Sequence, residues 1–231
     1  MFFPFRSLLL ATLLGTASAT SAAAQELQPT ESKEVAYTRT ITERAAKIVA
    51  TLGPIAHDKA SQVQTTIVEQ YRQLNDVHEA RKTQLAALKA QPKDDRTAAE
   101  TKKLEDQTTA ALDKLHGKYL KQLGRYLTST QVDMVKDGMT YRVLPITMTA
   151  YEDMLPSLTA EQKAQMLAWL TEAREHAMDA STSEQKHAWF GKYKGRINNY
   201  LSAAGIDMNK AGKDWQARIA ARKAAAAPAT N

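Results

Sequence analysis

Cysteine is absent from this 231-residue chain. Its absence excludes a disulfide framework, a thiolate metal site, a cysteine nucleophile and a lipid-bearing N-terminal cysteine. Glycine (nine residues) and proline (seven) are scarce, and most fall between helical runs, as at Gly53-Pro54, Pro92, Gly138, Pro145, Pro156 and Gly205. Long apolar runs are missing as well. The longest, from Ser7 to Gly15, is too short to span a bilayer, so no transmembrane segment is expected in the mature chain. Charge of one sign is not concentrated anywhere: the net +6 is spread along the chain and interleaved with acids. This implies solubility and loose attraction to anionic material, and no nucleic-acid partner.

What the N-terminus does contain is an address. Arg6 supplies a positive n-region, Ser7 to Gly15 the apolar core, and Ala22-Ala23-Ala24 a small-residue cleavage site. Residues 1–24 therefore read as a secretory signal peptide, cut near Ala24. The expected location is periplasmic or secreted, and the mature net charge falls to +5 once Arg6 is lost.

The body reads as helix almost throughout, with no strand pattern. After a flexible leader (25–37), a single all-helical domain is expected over 38–216, followed by an Ala-rich disordered tail (217–231). The first helix spans about Thr40 to Leu52. Two long helices, from about Asp58 to Ala90 and from Thr97 to Tyr126, form an antiparallel hairpin over about 58–126. Ile67, Tyr71, Leu74, His78, Arg81, Leu85 and Leu88 give the first arm a seam spaced by fours and threes, and Leu104, Ala111, Leu115, Tyr119 and Leu123 give the second a matching stripe. His78 and Arg81 on that seam are expected to be paired. The fold class is thus all-α, a helical bundle with a long antiparallel hairpin and a compact C-terminal group of shorter helices (127–216).

Two caps recur in the C-terminal part. Leu127-Thr128-Ser129-Thr130-Gln131 and Leu158-Thr159-Ala160-Glu161-Gln162 each place an N-cap Thr three residues before a Gln that can reach back to it, with Leu as a staple. The pair resembles the Leu-Thr-x-x-Gln signature of the Spy and CpxP group of periplasmic helical chaperones. Asp137-Gly138-Met139-Thr140-Tyr141, Tyr151 with Met154-Leu155-Pro156, Glu172-Ala173-Arg174-Glu175 with Met178-Asp179, and His187 to Leu201 with Gly205 resemble the bacterial exported family called domain of unknown function 3826. That resemblance implies a secreted all-helical domain described as sugar-binding, with no catalytic residues to carry over.

The densest chemistry lies in the fifteen residues from His187 to Leu201, which hold four aromatics, four basic or imidazole side chains and two asparagines. On a helix from Ser183 to Ala204, Phe190, Ile197 and Leu201 mark the buried centre. Trp189, Tyr193, Arg196 and Tyr200 fan out on one flank; His187, Lys194 and Asn198 lie on the other. Gly191 and Gly195, each costly within a helix, call for close helix packing or a ligand's approach. A pocket on this helix would stack a ligand's apolar face on Trp189 and Tyr200, and donate hydrogen bonds from Arg196, Lys194 and Asn198, with His187 beside them. Tyr141 and Tyr151, from a loop and short helix around Pro145, could close it. Arg174 lies near the buried centre of its helix (Thr159 to Ala180) and needs an acid or a ligand anion. Glu172, Glu175, His176 and Asp179 form a stripe on the opposite face, expected to be solvated. No metal-ligand spacing supports a metal site there.

The leading expectation is a non-catalytic binding domain for a carbohydrate or related polar ligand, without a cofactor. The alternative is a chaperone acting on an unfolded or envelope protein through a broad apolar and basic surface along the hairpin. Catalysis has little to rest on. There is no recognisable nucleophile triad or nucleotide loop, and carboxylates for glycoside hydrolysis could come only from Glu152, Glu172, Glu175 or Asp179.

Overall fold

The computed structural model describes residues 31–226, and these form eight α-helices with no strand among them. Residues 1–30 and 227–231, including the expected signal peptide, the first six residues of the leader and the end of the tail, lie outside the described residues.

Helix α1 (Lys33–Val49) is capped by Ser32, which accepts from the Val35 amide. It begins five residues inside the expected leader. Helices α2 (His57–Lys89) and α3 (Asp95–Leu123) form the hairpin, whose first arm is about 50 Å long at 1.5 Å per residue. Asp94 reverses the chain by capping α3 at the Thr97 amide, 2.8 Å away. The far half of the hairpin is thin: beyond Leu74 no residue of α2 is buried. On α3 the expected stripe needs one correction. Ala111 is exposed, and half-buried Leu112 takes the seam instead, because the inward positions run Leu104, Thr108, Leu112, Leu115 and Tyr119.

Both expected caps form as reciprocal capping boxes. Thr128 with Gln131 starts α4 (Ser129–Met139), and Thr159 with Gln162 starts α6 (Ala160–Met178). Between them α5 (Val143–Met154) is longer than a loop with a short helix. Pro145 stands in its first turn, where a missing N–H removes no helical hydrogen bond. Helix α7 (Ser183–Ala203) follows a tight turn, and α8 (Met208–Ala226) carries helix through the first ten residues of the expected disordered tail. Alanine is the best helix former. Asp153 also ties α8 down, accepting from Trp215 Nε1 at 2.6 Å and from both terminal nitrogens of Arg222.

Two apolar cores result. The first gathers α1 to α4 around Ile48, Val63, Ile67, Tyr119, Leu123 and Val135. The second gathers α5 to α8 around Met166, Leu170, Phe190, Ile197 and Leu201. Helix α6 belongs to both: Met178 packs into the first core, while Met166, Leu170, Ala173 and Ala177 pack into the second. Gly138 lets α1 and α4 approach closely, since a Cβ there would lie 2.7 Å from Ile48 Cγ1. Gly191 and Gly195 do not serve that purpose. They are exposed, and a Cβ on either would touch nothing.

Candidate ligand-binding cleft

Where the two cores meet, α6 brings a line of charge inward. Arg174, 5% exposed, donates to Asp137 Oδ1 at 2.9 Å and to Asp133 Oδ1 at 2.6 Å on α4, so the structural pairing expected of it is present. Glu175 accepts from Lys136 Nζ at 2.9 Å and lies 3.3 Å from His116 Nε2 on α3. Asp179 Oδ2 takes the other ring nitrogen, His116 Nδ1, at 2.8 Å, and the Asp179 carbonyl accepts from His78 Nε2 on α2 at 2.7 Å. The acidic stripe of α6 is therefore not simply solvated. Glu175 and Asp179 are half-buried because α6 packs on two faces at once; only Glu172 and His176 remain exposed.

These contacts fix protonation. Hydrogen bonds to Asp179 and then to Glu175 raise His116 to about 9, so it is an imidazolium at neutral pH. Burial alone would push Glu175 up, but the hydrogen bonds from His116 and Lys136 outweigh it and hold the carboxyl at about 2. Lys186 is buried with its ammonium capping the end of α6, 3.1 Å from the carbonyls of Ala177 and Met178, and burial brings it down to about 8.

Above this waist opens a cleft of about 1000 Å³. One wall is the hairpin, from His78 to Lys89 on α2 and Glu105 to Asp113 on α3. The other is the α6–α7 turn and the first half of α7. The turn is built stiffly: Thr182 caps α7 at the Gln185 amide, and Gln185 Oε1 accepts from both the amide and the hydroxyl of Ser181. Arg81 and Glu105 pair across the hairpin at 2.6 and 2.8 Å, so the expected partner for Arg81 exists. Opposite them stands Trp189, stacked on His176 with ring centres 4.4 Å apart and planes 17° apart. Lys192 Nζ lies 5.1 Å from the Trp189 ring centre.

The nine expected site residues do not share one pocket. Trp189 alone among them lines the cleft. Arg196 and Tyr200 lie further along α7 against Trp169 of α6, with the guanidinium carbon 4.4 Å from the ring centre and Tyr200 meeting the ring edge-on at 5.3 Å. Asn198 accepts from the Tyr151 hydroxyl at 2.5 Å, and the Lys194 carbonyl lies 3.5 Å from that hydroxyl. Burial pushes Tyr151 up to about 12. His187 stacks on Tyr141 at 5.3 Å, and Arg174 stays in the ion network. Helix α7 meets α5, α6 and α8 on different sides, so residues close on its projection face different neighbours.

Sequence reasoning missed His116, His176, Lys192 and Trp169 as partners. The antiparallel register of α6 and α7 held the signal, because it sets His176 across from Trp189 and Trp169 across from Arg196. Among the described residues no group of three or more His, Asp or Glu side chains is arranged to hold a metal ion, and no helix is long and apolar enough to cross a membrane.

The fold and the cleft together define an all-helical protein with two cores and a side cleft of ligand size between hairpin and bundle. The chain belongs to the family described as "Protein of unknown function (DUF3826)", whose model matches residues 38–221. No curated protein matches it.

Proposed function

We propose that this is an exported, non-catalytic binding protein whose cleft between the hairpin and the α6–α7 turn holds a carbohydrate or closely related polar ligand. The observation that carries the reading is the half-buried indole of Trp189, backed by His176, in the wall of a cleft of about 1000 Å³. An aromatic wall with a few polar groups around it suits a sugar ring, which has an apolar face and a polar rim. Export rests on Arg6, the apolar run from Ser7 and the Ala22-Ala23-Ala24 site.

The chaperone reading has less support. It asks for apolar surface along the hairpin, yet the large exposed hydrophobic residues are Val35, Tyr141, Ile146 and Leu167, none of them on α2 or α3.

The test is a tryptophan-fluorescence titration of the mature protein with neutral and acidic oligosaccharides. Saturable change in the wild type, abolished in Trp189→Ala with the helical circular dichroism retained, is expected. No saturation by any saccharide, together with suppressed aggregation of an unfolded client, would transfer the function to the chaperone reading.

A further inference from the structure

From the cleft, a ladder of stacked side chains continues along the α6–α7 pair. His176 meets Trp189 at its foot. Two turns further along α7, Arg196 lies over Trp169, and Tyr200 meets that ring edge-on. The two indoles sit about 10 Å apart along the helix axis, from the seven residues between Trp169 and His176 at 1.5 Å each.

Two cations mark the ladder. Lys192 lies over Trp189 and Arg196 over Trp169, separated by one helical turn, about 6 Å. Beside them, Lys82 and Arg81 are each paired with a carboxylate. Lys192 forms no ion pair among the described residues. The nearest acid to Arg196 is Glu172, at 3.9 Å and outside hydrogen-bond range. Contact with the rings holds both cations in place while leaving N–H donors unused, and neither group has an acceptor of its own. The acids facing this path are Glu172 beside Arg196, Asp113 on the hairpin wall of the cleft, and Glu79, Glu105 and Asp179, which are already taken by Lys82, Arg81 and His116.

Building on the cleft reading above, we infer that the occupant is an acidic oligosaccharide whose uronate carboxylates are held by Lys192 and Arg196 as it runs out of the cleft along the α6–α7 ladder. A carboxylate matches the fork of a guanidinium and a point-charge ammonium; a neutral sugar of the same shape leaves Lys192 unpaired and Arg196 with only the distant Glu172.

The experiment is calorimetric titration of the mature protein with two matched pairs of probes. One is β-1,4-linked tetramannuronate against mannotetraose, which differ only in oxidation at C6. The other is tetragalacturonate against its methyl ester. At least one acid is expected to bind about tenfold or more tightly than its neutral partner, with affinity falling as salt rises. Lys192→Gln and Arg196→Gln are each expected to erase most of that preference while keeping the wild-type melting temperature, since both side chains are exposed. Equal or tighter binding of the neutral members overturns the inference and leaves the cleft reading standing. An acid preference untouched by both substitutions overturns the assignment to this ladder. No binding by any probe or by the wider neutral panel defeats the cleft reading and the inference with it.

Discussion

His116 donates through Nδ1 to Asp179 Oδ2 at 2.8 Å, joining the second arm of the hairpin to the end of α6 at the point where the two cores meet. The hairpin wall of the cleft is thereby set against the wall that carries Trp189. Stability should follow the titration of this junction. His116 is raised to about 9, so its contribution is full below its unfolded value near 6.5 and is lost as pH rises through 9. Glu175 is held at about 2, so its contribution is full above about 4.5 and is lost as pH falls through 2. The melting temperature is expected to be highest between these limits. His116→Gln should flatten the fall between about pH 6.5 and 9, to which the wild-type residue contributes about 3 kcal/mol, while Lys186, lowered to about 8, adds stability only at higher pH. An alkaline fall that persists in His116→Gln would remove this residue from the account.

Arg174 is the buried centre of the charge on α4 and α6. Arg174→Met leaves Asp137 and Asp133 without their guanidinium, and breaking a buried pair from one side costs about 3 kcal/mol or more. Urea denaturation should show that loss. A change below about 1 kcal/mol would mean that the network is solvated and contributes little.

Tyr141 and Arg142 both hold left-handed backbone, with φ of 58° and 56°, between α4 and α5. No side-chain hydrogen bond of Arg142 is present among the described residues, so Arg142→Gly should relieve strain without losing a contact. A stabilisation of about 1 kcal/mol is expected in urea. Tyr141→Gly should gain less, because it also loses the stack on His187. Destabilisation by Arg142→Gly would show that the left-handed turn carries no strain to relieve.

Helix α8 has no buried residue and depends on Asp153, which accepts from Trp215 and Arg222. Asp153→Asn should therefore expose Arg218, Arg222 and Lys223 to trypsin earlier than in the wild type, while the core amides on α6 and α7 keep their hydrogen-exchange protection. Cleavage at an unchanged rate would place the anchoring of α8 elsewhere.

The helical fold was legible because its signals are local. The Thr128 and Thr159 caps, the spacing of Ile67, Tyr71 and Leu74, and the scarcity of glycine each act within a few residues. Ends set by distant partners were not legible. Arg222 keeps α8 helical through a contact with Asp153, 69 positions away. For the site, helical projection found the buried centre at Phe190, Ile197 and Leu201, and it brought Trp189 and Arg196 forward. It could not identify the neighbours of α7, and so it joined into one pocket Asn198, which meets Tyr151 of α5, and Arg196, which meets Trp169 of α6. Projection also misplaced Glu175 and Asp179, because a helix shared by two cores has two inner faces, whereas a single apolar stripe reports one.

Three tryptophans report on three parts of the molecule: Trp189 in the cleft, Trp169 on the ladder beyond it, and Trp215 beside Asp153. The most direct test follows their indole N–H resonances in a nitrogen-15 spectrum, assigned by single Trp→Phe variants, while an oligosaccharide is added. The account predicts saturable shifts at Trp189, with Trp169 following for longer acidic chains and Trp215 unmoved. A saccharide that binds while leaving Trp189 unmoved would contradict it.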